Sequence, residues 1–225
     1  MTVAARLDEV CARIARAAKA SGRDPAQVKL VAVSKTKPPD AIREAYAAGQ
    51  RAFGESYAQE LAAKALELAD LTDIEWHFIG HLQTNKAKLA AKDASVVHTV
   101  DSEALARELG KRAAKERTVP LPVLIEVNVG GEPQKAGATP GEIDEVMVAL
   151  RAQPSLALRG LMTVPPAGSL DDARRVFATL ATLRSLHGGV AVLPELSMGM
   201  SDDLEVAVEC GATYVRVGSA IFGAR

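Results

Sequence analysis

A (β/α)8 barrel is the α/β fold that this sequence predicts, and three observations predict it. Short apolar segments alternate with amphipathic ones along the chain. There are eight apolar segments, each followed or closed by a helix, and 225 residues lie in the lower part of the range such barrels occupy. An open doubly wound sheet uses the same alternation and is the competing architecture. No Gly-Ser linker or shift of composition divides the chain, so residues 1–225 are expected to form a single domain.

The first element is a helix, because Val3, Leu7, Val10, Ile14 and Ala17 recur at helical spacing. This extra N-terminal helix is expected to lie outside the barrel, over part of its helical ring. Strands are expected at Leu30–Ser34, Arg51–Phe53, Trp76–Ile79, Val96–Val100, Val123–Val129, Leu158–Val164, Glu195–Met198 and Tyr214–Val217. Helices are expected between them at Pro39–Ala48, Ser56–Leu68, Asn85–Ala91, Ser102–Glu116, Pro140–Ala152, Leu170–Leu186 and Asp202–Glu209. Pro39 and Pro140 suit first turns, where a missing N–H costs nothing. Ser102, Asp171 with Asp172, and Ser201 supply caps or acids at helix starts, while Gly49, Gly110 and Gly211 punctuate helix ends.

Composition narrows the function. Twenty-seven Lys and Arg against 28 Asp and Glu leave a net charge of −1, so no cationic surplus points to nucleic acid or a membrane surface. The two cysteines, Cys11 and Cys210, are far apart with no metal-ligand spacing around them, which suits a reducing cytoplasm. Asp8, Glu9 and Lys19 interrupt the N-terminal stretch, so neither a secretory signal nor a membrane span is expected.

The chemistry starts at Val31-Ala32-Val33-Ser34-Lys35. Val31, Val33 and Lys35 share one face of a strand, and a lysine ending an apolar strand needs a reason to be there. Either it snorkels into water or it is a partly desolvated amine able to form a Schiff base. In a barrel the reactive groups gather where strands end. The seventh and eighth strands end in Ser201 and in Gly218-Ser219, where hydroxyls and backbone amides would suit a phosphate. Arg216 shares a face with Tyr214 and keeps its charge, so it would not give a proton to a ring nitrogen; an ion pair with Glu126 is the other reading. His77 and His81 lack a carboxylate at metal spacing and are read as structural, and no metal is expected. An amine, a phosphate edge and a fixed cation outline an aldehyde, a phosphate and a ring nitrogen between them. Pyridoxal 5′-phosphate (PLP) fits.

The residues also carry a resemblance. Val31–Pro38, Phe53–Glu60, Trp76–Lys86, Asn128–Gly137, Arg159–Met162, Leu196–Asp202 and Tyr214–Gly223 resemble, in order and over the whole chain, the pyridoxal phosphate homeostasis protein family. Its barrel is similar to the alanine racemase N-terminal domain, the fold-type III kind of PLP barrel. The resemblance implies that Lys35 carries PLP as an internal aldimine and that Arg216 faces the pyridine nitrogen. It implies further that Ser201, Gly218 and Ser219 hold the phosphate, with Asn128 and the Met198-Gly199-Met200 turn lining the pocket. One departure is Ser56, where the family usually has asparagine.

The implied role is a cofactor holder in intracellular PLP supply, with little catalysis of its own. PLP-dependent apoenzymes would be its partners; an open mouth without a partner domain permits a monomer, which is the expected state. The eighth strand ends within ten residues of the C-terminus, so the domain that gives the racemase its second base is not expected here. A small PLP-dependent racemase, or a lysine-dependent aldolase without cofactor, is the alternative.

Overall fold

The alternation closes into a ring. The computed structural model describes residues 1–132 and 134–223; Pro133, inside the Asn128–Gly137 segment, lies outside them. Eight parallel strands form a closed barrel in sequence order. They are β1 (Lys29–Val33), β2 (Ala52–Glu55), β3 (Glu75–Phe78), β4 (Val96–Val100), β5 (Leu121–Glu126), β6 (Leu156–Met162), β7 (Glu195–Ser197) and β8 (Tyr214–Val217). Outside lie α1 (Val3–Ala20), α2 (Pro39–Ala47), α3 (Ala58–Glu67), α4 (Ala87–Asp93), α5 (Glu103–Glu116), α6 (Ile143–Arg151), α7 (Leu170–Leu186), α8 (Gly189–Val192), α9 (Leu204–Glu209) and α10 (Ser219–Phe222). The doubly wound alternative is thereby excluded, since β1 pairs with both β2 and β8.

Most of the apolar core sits between strands and helices, where Ile42, Leu61, Leu105, Leu109, Phe177 and Leu180 are fully buried. Each such side chain contributes about 1.5–3 kcal/mol by leaving water. The barrel interior is different. Small clusters of Val31, Ala52 and Tyr214, and of Val96, Leu124 and Met162, share it with buried His77, His98, Ser197 and Arg216.

Helix α1 braces the mouth of the barrel from outside. Thr2 caps it, and its apolar stripe of Val3, Leu7, Val10 and Ile14 packs against α2, α9 and α10. Its arginines reach carbonyls in the loop before α9 and in α10. Arg13 donates to the Ser201 carbonyl at 2.9 Å and binds both Glu205 oxygens, while Arg6 donates to the Ile221 carbonyl. No helix among the described residues is long and apolar enough to cross a membrane.

Candidate functional site

Strand register assembles the site. Val31 pairs with Arg216 across the β1–β8 seam, which brings Val33 beside Gly218 and leaves Lys35 just beyond the strand end. A side chain at Gly218 would meet the Val33 Cβ and carbonyl at 3.2 Å, so glycine there lets the two strand ends close up. Above the seam lies a cavity of about 410 Å³, within the range of small-molecule sites. Lys35, Met200, Ser201, Arg216, Gly218 and Ser219 all line it.

The other three residues singled out in the sequence lie elsewhere. Met198 is fully buried in the main core, and Gly199, at φ +94°, sits against Ala207 in α9, neither lining the cavity. Asn128 lines a separate cavity of about 220 Å³ with Glu126 and Lys135, and its amide is spent on the Glu132 backbone at 2.8 and 3.2 Å. The reason is that β5 stops at Glu126; the apolar run through Val129 continues as loop. In turn, Thr36, Lys37, Ser56, Ile79, Val164, Asp202 and Gly223 line the main cavity without having been assigned to it. Lys37 and Ser56 belong to segments that carried the resemblance, so proximity to Lys35 and Glu55 was the available signal. Gly223 closes the Tyr214–Gly223 segment that also carried it, whereas Val164 lies outside all of those segments.

Arg216 heads a polar chain through the barrel. It is 4% exposed, with Nη1 donating to Ser197 Oγ at 2.7 Å and Nη2 donating to the Thr163 carbonyl at 3.0 Å. Ser197 Oγ lies 2.8 Å from His98 Nδ1, and His98 Nε2 lies 2.8 Å from His77 Nδ1. His77 Nε2 then faces Glu75 Oε2 at 3.6 Å, near the opposite end of the barrel, where Lys29 pairs with the same carboxylate. A carboxylate only accepts, so the tautomer that turns a proton toward Glu75 carries it on His77 Nε2; in that arrangement His98 also carries its proton on Nε2 and the Ser197 hydroxyl donates to His98. Burial holds both imidazoles below their ordinary range, consistent with two neutral rings. Glu75 is drawn down to about 2, first by the neighbouring His77 and then by Lys29.

Burial also pushes Arg216 down to about 10, which leaves it charged at neutral pH. The ion pair with Glu126 is absent among the described residues: the guanidinium bonds go to Ser197 and Thr163 instead. Glu126 acts through its field, and its Oε2 has no hydrogen-bond partner. Burial, helped by Asp101 and opposed by Arg216, pushes Glu126 up to about 7. A carboxyl raised in the folded state stabilises the protein below its unfolded value, and that stability is lost as pH rises through the folded value. Replacing Glu126 with Gln should therefore leave the urea midpoint unchanged below about pH 4.5. The variant should become progressively more stable than wild type between about pH 4.5 and 7, by on the order of 3 kcal/mol at most. A difference that does not change with pH would refute the assignment.

The edge opposite Lys35 is a pair of hydroxyls over a turn. Ser219 Oγ donates to Ser201 Oγ at 3.0 Å, and the Ala220 N–H reaches the same oxygen at 3.4 Å. On the other flank Gly80 lets the β3–α4 loop lie on the β2–α3 turn, because a Cβ there would overlap the Ser56 carbonyl. Gly80→Ala should lower stability by about 1–3 kcal/mol, read as a shifted urea midpoint. An unchanged midpoint would mean the loop moves freely.

With this geometry in place, comparisons decide the kinship. The sequence pattern of the alanine racemase N-terminal domain matches residues 6–225. The pyridoxal phosphate homeostasis protein of Pseudomonas aeruginosa is 48% identical over 225 residues, covering 100% of this chain and 96% of the relative. The chain belongs to this family. The family's Escherichia coli K12 member is 43% identical, covering 99% of this chain and 97% of its own. Among solved structures, PipY of Synechococcus elongatus with PLP bound superposes with a TM-score of 0.85 at 38% identity, covering 99% of this chain and 100% of PipY. An alanine racemase from Corynebacterium glutamicum shares the fold at a TM-score of 0.67 and 20% identity, and this chain spans 62% of it.

Proposed function

We propose that this protein binds PLP covalently on Lys35 and serves intracellular PLP homeostasis. The observation that carries the reading is that one cavity holds the amine of Lys35, the cation of Arg216 and the Ser201, Gly218 and Ser219 edge. The family's names and the PLP held by PipY support it. A racemase reading is not favoured, because relatives at 40–48% identity carry the homeostasis name while the racemase shares fold alone.

The residues fit the cofactor chemically. PLP supplies an electrophilic aldehyde and, in enzymes, an electron sink. Lys35 supplies the amine that captures the aldehyde. Ser201 and Ser219 present two hydroxyls, and the turn at Gly218 brings backbone close enough to meet a phosphate without a side chain between. Arg216, held by Ser197 and Thr163, would offer a charged donor to a ring nitrogen and leave it unprotonated, which would weaken the electron sink. Holding the cofactor, more than turning over amino acids, is the role this favours. On this reading the 1–225 chain acts as one cytoplasmic, monomeric PLP-binding barrel that supplies apoenzymes.

Titration with PLP and with pyridoxal, which lacks the phosphate, tests the reading. Two or more charge-assisted hydrogen bonds to phosphate predict that pyridoxal binds at least about 100-fold more weakly. Equal affinities would remove the phosphate edge from the account.

A further inference from the structure

Directly behind Lys35, outside the cavity lining, lies a buried charge cluster. Lys64, in the middle of α3, has a side chain only 7% exposed. Its ammonium donates to Glu55 Oε1 at 2.8 Å, to Glu60 Oε1 at 2.7 Å and to the Ser34 carbonyl at 2.7 Å, using all three protons. The Ser34 hydroxyl donates to the same Glu55 oxygen at 2.6 Å. A buried lysine between two carboxylates is weak evidence for stability, since burying the charges offsets much of their attraction. Its partners point to another use.

The chain turns sharply at the end of β1. The Lys37 N–H donates to the Ser34 carbonyl at 3.0 Å, with Lys35 and Thr36 in the two central positions. Thr36 takes φ +63°, and among the described residues no other non-glycine has a positive φ. A β-branched residue there is strained and persists only when its surroundings over-determine the turn. Two bonds do so. The Thr36 N–H donates to Glu60 Oε1 at 2.6 Å, and the Ser34 carbonyl accepts from Lys64. The residues on both sides of Lys35 are therefore tied to one turn of α3, whose Glu60 and Lys64 stand four apart.

We propose that Glu60 and Lys64, completed by Glu55, are positioning residues for Lys35: they hold the strained Ser34–Lys37 turn so that the Lys35 amine is presented to the aldehyde of a bound cofactor. The inference rests on the PLP reading above. It assigns a use to a buried lysine that lines no cavity, and to a threonine in a conformation that glycine would adopt at no cost.

The test uses the full chain and PLP itself. Apparent PLP affinity and the rate at which the visible band appears are measured for wild type, Glu60→Ala, Glu60→Gln and the double variant Thr36→Gly with Glu60→Ala, beside the Tm of each without PLP. Loss of one charge-assisted bond predicts that Glu60→Ala is about tenfold weaker and slower. Glu60→Gln still offers an oxygen to the Thr36 N–H and should recover to within about threefold, on the scale of a neutral bond replacing a charged one. The double variant should also recover part of the loss, because glycine adopts the turn unaided. Lowered Tm values with unchanged affinity and rate would overturn the proposal, leaving the cluster a purely structural one. A wild type that forms no band with PLP would overturn the PLP reading, and this inference with it; a wild-type band matched by Glu60→Ala would overturn this inference alone.

Discussion

Lys35→Ala should abolish the visible band and leave PLP removable by dialysis, with affinity reduced at least about 100-fold and Tm nearly unchanged. Lys35 is half-buried and lines the cavity, so its removal leaves no large void. Substitutions of this kind usually stay within about 0.5 kcal/mol. A covalent bond to the cofactor, by contrast, has no substitute in the remaining contacts. Lys37 is the rival, because its side chain lines the same cavity. It is already engaged with the Phe222 carbonyl at 3.4 Å and the Gly223 carbonyl at 3.1 Å, on the side of α10. A band that survived Lys35→Ala would transfer the role to Lys37.

Arg216→Met should weaken PLP binding by about tenfold or more and lower stability at the same time. The substitution keeps much of the apolar bulk but strands two buried acceptors, Ser197 Oγ and the Thr163 carbonyl, each at about 1–3 kcal/mol. It also removes the donor to Ser197 Oγ at the head of the Ser197–His98–His77 chain. Glu126 loses the one positive field that opposes its burial, and its titration should move upward from about 7. Binding and denaturation measured on one preparation check both effects. Unchanged PLP affinity would show that the guanidinium serves the barrel interior alone.

Much of the barrel was legible because strand and helix periods differ, and the seams between them carry prolines, caps and glycines. The β4 and β8 boundaries agree with expectation residue for residue, and α7 does too. Misplacements fall where apolar character outlasts hydrogen bonding. β5 and β6 start two residues early and stop two or three residues early; past Glu126, Val127 donates once more to the Met162 carbonyl and bridges Ala138, while half-buried Val129 lies beyond the strand. The short α8 and α10 were missed, having too few residues for a period to show.

The site divides in the same way. Lys35, Ser201, Arg216, Gly218 and Ser219 sit at or near strand ends that a barrel must bring together, and they line one cavity, as local reading expected. The His77–His98–Ser197–Arg216 chain joins four strands that are distant in sequence, and its members meet only through register, which no local pattern reveals. Glu60 and Lys64 were not singled out, since a Glu and a Lys four apart are ordinary on a helix face; only the packing of α3 against the β1 turn shows what they hold.

The most direct measurement is borohydride reduction of the PLP-loaded protein followed by mass mapping of its peptides. The account predicts a visible band that disappears on reduction, with one phosphopyridoxyl group on Lys35. An adduct confined to Lys37 or to any other lysine, or no adduct at all, would contradict it.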